Sequence, residues 1–144
     1  MLTLLFAFTC TSHADESCIS GKQTGQTMRV KIGAQTFNAS IAASEQEREH
    51  GLAGRASLAA ESGMWFALPT PDWHGFWMHG MHFPIDLIWI SPERRVLGAI
   101  TLQPCTSRPC PIYTPPSPVA YVLEINAGAF AGKTGDTVTW RCTP

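Results

Sequence analysis

The chain reads as a mainly β protein, a sandwich or barrel-like sheet carrying one short helix near residues 45–50. Three observations lead there. Met28, Val30 and Ile32 alternate with Arg29 and Lys31, and Phe37, Ala39 and Ile41 repeat the alternation after Gly33-Ala34. Period-two apolarity marks strands with one buried face. A capping-box signature, Ser44-Glu-Gln-Glu47, announces the one confident helix. Residues 103–118 hold six of the eleven prolines, and proline cannot donate to a strand ladder.

Taken in order, residues 28–41 form a hairpin turning at Gly33-Ala34. The helix runs from 45 to about His50, where Gly51 is suited to ending it. Further strands are expected over 63–68, 75–78, 86–91, 96–102, 120–126 and 137–141. Ser91-Pro-Glu-Arg94 supplies the turn between two of them. The proline-rich segment 103–118 reads as an ordered loop pinned by a Cys105–Cys110 bridge.

Residues 1–14 read as a secretory signal: 2–8 are almost entirely apolar, and Ser12-His13-Ala14 puts small residues where a signal peptidase cuts. That stretch is far short of the about 20 apolar residues a membrane-spanning helix needs, and no later stretch qualifies. Residues 15–27, rich in Ser, Gly, Gln and Thr, read as a flexible leader, which leaves 28–142 as one folded domain. The expected location is therefore the periplasm or the exterior. Removing the signal removes Cys10 and leaves Cys18, Cys105, Cys110 and Cys142, an even set that suits two disulfides with three possible pairings. A local Cys105–Cys110 staple with Cys18–Cys142 tying the termini is the simplest. A formal charge of −1 without a basic stripe argues against nucleic acid as a partner.

Chemistry-bearing residues crowd into 64–82, which holds three of five Met, three of five His and three of five Trp. Imidazole and thioether together suit copper or zinc, so His79, Met81 and His82, with His74 nearby, form a candidate metal set. Trp73, Trp77 and Tyr113 form a candidate stacking platform for a small molecule, glycan or peptide. Asp86 stands alone in an apolar run from 83 to 90, and a buried carboxylate needs a partner. Arg55 and loop amides are natural ones. As a lock Asp86 would fix its loop; as a functional group it would be a ligand contact, a metal ligand or the base of a hydrolase. Glu124 shares one strand face with Val122 and Asn126; it faces solvent or, less simply, pairs with Asp86 for acid/base work. No nucleophile elbow or phosphate loop is present.

Several separated runs then match one family pattern in order: Glu47-Arg-Glu-His-Gly-Leu52 with Arg55, Leu58 and Gly63-Met-Trp-Phe66; Phe76-Trp-Met78 with Pro84-Ile-Asp-Leu87; Tyr113; Tyr121-Val-Leu-Glu-Ile-Asn-Ala-Gly128; and Gly135-Asp136. Over about residues 28–140 the chain resembles the DUF192 (UPF0127) family. The resemblance implies a small, β-rich, often exported domain and no particular activity. Ala53-Gly54 and His79-Gly-Met-His82 depart from that pattern, so a site built on His79 and His82 would be this chain's own. The reading that results is an exported protein, more a binder than an enzyme, with a ligand cleft around residues 73–86 and Arg55 as a candidate anion partner for the ligand. Copper or zinc binding is the alternative, and hydrolysis with Asp86 as base is weaker still.

Overall fold

A computed structural model describes residues 25–143; the expected signal, most of the leader and Cys18 lie outside them. β1 (Thr27–Ile32) and β2 (Gln35–Ala42) make the expected hairpin, with Ile32 opposite Gln35. Gly33 turns the chain at φ +58°, a conformation open to glycine because it has no Cβ to clash. α1 (Glu45–His50) starts at Ser44, whose hydroxyl accepts from the Glu47 amide at 3.1 Å. The Glu47 carboxylate in turn accepts from the Ser44 amide at 2.8 Å. The capping box is therefore complete.

The remaining strands are β3 (Ser62–Asp72), β4 (Phe76–Trp77), β5 (Ile85–Ile90), β6 (Val96–Leu102), β7 (Ile112–Tyr113), β8 (Val119–Asn126) and β9 (Val138–Thr143). Seven of them form one sheet in the order β6-β5-β8-β3-β2-β1-β9. β2 and β3 pair in parallel, with α1 in the crossover between them, and the other neighbours are antiparallel. The sheet's two edges meet at one end. The Val96 amide donates to the Asp136 carbonyl at 3.0 Å, the Val138 amide donates to the Arg94 carbonyl at 2.9 Å, and Arg95 bridges Thr137. The sheet thus curls into a barrel, which also hides edge strands that would otherwise invite pairing.

Closure creates two cores. Inside, Trp65, Trp140, Leu123, Ile125, Ile88, Ile90 and the inward residues of the first hairpin pack together. Outside, Met64, Phe66, Leu87, Trp89 and Val122 on β3, β5 and β8 pack under Leu52, Met78 and Met81 from covering segments. Covering on both sides explains why all six residues of β5 are buried, and why its sequence is continuously apolar rather than alternating. Among the described residues no helix is long and apolar enough to cross a membrane.

Two segments differ from expectation. Residues 103–118 are not all loop, because Ile112 and Tyr113 pair with Trp77 and Phe76 in a two-stranded ribbon. These two residues are free of proline and need only one neighbour, so the surrounding prolines do not forbid the pairing. β3 also runs past Leu68 to Asp72 despite Pro69 and Pro71; the register breaks between Ala67 and Asp72, where ladder bonds are not demanded of them. The Cys105–Cys110 disulfide is formed, with Cα atoms 5.7 Å apart. Cys142 is also disulfide-bonded.

Candidate functional site

A cleft of about 670 Å³ lies over the outer core, between α1 on one side and the β3–β4 segment with the β4–β7 ribbon on the other. Local chemistry sets its walls. α1 ends at Gly51 with φ +53°, and a Cβ there would stand 3.6 Å from Phe66 Cζ and 3.8 Å from Glu124 Oε2. The helix end is thus seated directly on the cleft floor. Opposite, the Trp73 amide donates to Asp72 Oδ1 at 2.7 Å, and His74 Nε2 contacts the Thr70 carbonyl at 2.7 Å. These bonds hold the bend that brings the chain back as β4. Gly75 lets the ribbon close up, since a Cβ would come 2.6 Å from Ile112 Cγ2. Phe66 and Phe76 meet edge to face at 5.6 Å across the floor.

The rim is aromatic and open to solvent: Trp73 is 59 % exposed and Trp77 54 %, with Ile112 exposed beside them. Of the residues expected to form a site, Trp73, Trp77, His74, His79 and Met81 line this cleft. Tyr113 is in the ribbon opposite Phe76. Arg55 lines a separate groove with Met64 and Glu47, sharing only His50 and Gly51 with the cleft. His82 is exposed and does not line the cleft.

Asp86 does not line it either. Its side chain is buried on the opposite face of β5, where Oδ1 accepts from the Thr101 hydroxyl at 2.6 Å and Oδ2 from the Phe130 amide at 3.0 Å. Arg55 is not its partner. Two donors on two oxygens tie β5 to β6 and to the loop after β8, the arrangement of a lock.

The carboxyl at the floor is Glu124, which strand alternation alone allowed to face solvent. β8 is covered on both faces, and Glu124 is 6 % exposed. Its cross-strand neighbours are Met64 and Leu87, both apolar. Among the described residues it has no hydrogen-bond or ion-pair partner, and burial pushes its carboxyl up to about 8. Glu124 is therefore mostly protonated at neutral pH. It also lies on the opposite sheet face from Asp86, since Leu87 and not Asp86 stands across from it, so the two carboxyls cannot act on one substrate atom.

His79 Nε2 accepts from Arg108 at 3.0 Å, which fixes the proton of the neutral ring on Nδ1. Among the described residues no group of three or more His, Cys, Asp or Glu is arranged to hold a metal ion. The Arg108 guanidinium against His79 also opposes a cation there.

The model of one protein family, DUF192 (uncharacterized ACR), matches residues 28–140, which takes in the barrel and the whole cleft. The chain belongs to the DUF192 family. No curated protein matches it significantly. Two crystal structures are similar to this DUF192 chain. A protein of unknown function from Novosphingobium aromaticivorans is 31% identical, with a TM-score of 0.68 over 79% of this chain and 84% of its own. A protein from Sinorhizobium meliloti, described as a candidate transcription regulator, is 25% identical, with a TM-score of 0.70 over 80% of this chain and 92% of its own.

Proposed function

We propose that this DUF192 protein is an exported binding domain that takes a small organic ligand into the cleft between α1 and the β4–β7 ribbon. One observation carries the reading: a buried, unpartnered carboxyl, Glu124, lies at the floor of a cleft rimmed by two half-exposed indoles. The Glu124 carboxyl has no protein partner and lines the cleft, where a ligand that enters can supply one. Exposed indoles beside a pocket add stacking area at little conformational cost. Export is supported by the apolar run at residues 2–8 and by disulfides at Cys105–Cys110 and Cys142, which persist in oxidising compartments. The metal and hydrolase readings draw less support. His82 lies away from the cleft, His79 is paired with Arg108, and both Asp86 oxygens are occupied.

The test is a panel of small amines, alcohols, monosaccharides and short peptides, screened by saturation-transfer NMR and tryptophan fluorescence against the protein and a Trp73→Ala/Trp77→Ala variant. Each indole is worth ~0.5–1.5 kcal/mol of contact, so losing both should weaken a cleft ligand about tenfold or more. Both residues are exposed, so the melting temperature should hold. A panel with no binders, or binders indifferent to the double variant, would sink the reading.

A further inference from the structure

We propose that the ligand class of this cleft is a cationic amine, an ammonium or quaternary ammonium group seated among Trp73, Trp77, Phe66 and Phe76 with the Glu124 carboxylate as its counter-ion. The inference rests on the binding reading above and narrows it to one chemistry.

The floor offers a ligand a single polar side chain. Phe66, Leu68, Leu52 and Met81 around Glu124 are apolar, whereas a sugar wants several hydrogen bonds from fixed side chains. Ionised Glu124 has no cation of the protein's own. The Arg48 guanidinium donates to the Ala43 carbonyl at 3.0 Å, and Arg108 is engaged with His79. An entering cation is what makes the ionised form tolerable in an apolar site. The surrounding charge agrees. α1 presents Glu45, Arg48, Glu49 and His50 to the cleft, the segment before β4 presents His74, and the segment after it presents His79. The ribbon strand β7 and its flank add Ile112 and Thr114, which do not titrate. With Glu124 ionised, Glu45, Glu49 and Glu124 stand against Arg48 on the α1 side and Arg108 at the His79 end, a balance of one negative charge that lies on the α1 side of the cleft, away from Arg108. Aromatic faces complete the case, because indole and phenyl rings attract ammonium groups through their quadrupoles and do so best where water is excluded.

Proton balance follows from the geometry. Free Glu124 holds a proton that burial keeps on it up to about 8; pairing with an ammonium group returns that proton to solvent. Binding of a permanently charged cation should therefore strengthen about tenfold per pH step below that point and level off above it.

The experiment is calorimetric titration of the oxidised protein with benzyltrimethylammonium and, separately, benzyl alcohol and glucose, at pH 6, 7 and 8.5. Two buffers of different ionisation enthalpy are used at pH 6.5 to count protons. The expected result is cation affinity rising about tenfold from pH 6 to 7, with close to one proton released per cation. Glu124→Gln should lose that release and at least tenfold in cation affinity at pH 8.5. Cation affinity that is flat with pH in the unaltered protein, or unchanged in Glu124→Gln, overturns the proposal. The proton count needs no variant, so it decides even if Glu124→Gln folds poorly. Benzyl alcohol or glucose binding in a Trp73/Trp77-dependent way while the cation does not would overturn the amine assignment and leave the cleft reading standing. Absence of binding by all three, together with a panel without binders, would overturn both.

Discussion

Replacing Glu124 by Gln should change how stability depends on pH. In the unfolded chain a glutamate titrates near 4.5, and in the folded protein burial holds Glu124 protonated up to about 8. A group whose folded pKa is raised contributes stability that is fully present below 4.5 and is lost as pH climbs through 8. At about 1.4 kcal/mol for each tenfold change in proton affinity, the interval corresponds to ~5 kcal/mol lost between pH 4 and pH 9. Glutamine keeps the shape and cannot ionise, so that loss should vanish from the variant. Buried amide desolvation shifts its whole curve by a roughly constant 1–3 kcal/mol. The informative quantity is therefore the difference between the two proteins as pH varies, in which the other titrating groups largely cancel. Urea denaturation at half-unit steps from pH 5 to 9 measures it. The variant should gain on the unaltered protein by about 1.4 kcal/mol per pH unit up to 8 and then run level. Parallel curves would refute the reasoning, because they would mean that Glu124 ionises as freely folded as unfolded and is neither buried nor alone.

Three further outcomes are expected. Asp86→Ala should cost about 2–4 kcal/mol by denaturant titration, since it strands the Thr101 hydroxyl and the Phe130 amide, and should leave cleft ligands bound as tightly as before. Ser44→Ala removes the helix cap and should cost about 0.5–2 kcal/mol; Glu47, held below the usual carboxylate range first by the Ser44 backbone amide and then by the Ser44 hydroxyl, should move only part-way back by NMR, because the amide bond survives the substitution. Replacing Cys105 and Cys110 by Ala opens a short loop worth about 2 kcal/mol of closure entropy, and should shift the His79 ring resonances as Arg108 loses its fixed position.

Local rules carried far in this chain where one face of an element decided its fate. The first hairpin, the capping box and β6 lie where alternation and spacing put them, because each answers to a nearest-neighbour pattern. Residues 73, 77, 79 and 81 were picked out by their chemistry and do share a cleft. Trouble began where distant segments supply the second face. The β4–β7 pairing sets Trp77 opposite Ile112 and Phe76 opposite Tyr113, and no pattern within 103–118 announces a partner so far away in sequence. Of the two kinds of partner the sequence offers Asp86, the loop amide is present, from Phe130, and Arg55 is not; the Thr101 hydroxyl across the β5–β6 ladder is a donor that no charge pattern points to.

The two buried carboxyls show where the sequence argument stopped one step short. Asp86 attracted suspicion because every neighbour from 83 to 90 is apolar. Apart from Tyr121, the same is true of Glu124 between Val119 and Ile125, and β8, like β5, is buried on both faces. Treating β8 as one-sided allowed Glu124 to face water. What no sequence rule could supply is the contrast between them. They sit on adjacent strands and opposite sheet faces, one with a donor on each oxygen and the other with none. A fold that needed a second lock had amides and hydroxyls available to build one. That the cleft-side carboxyl was left without a partner is, energetically, the strongest reason to look for its partner among molecules that enter from outside.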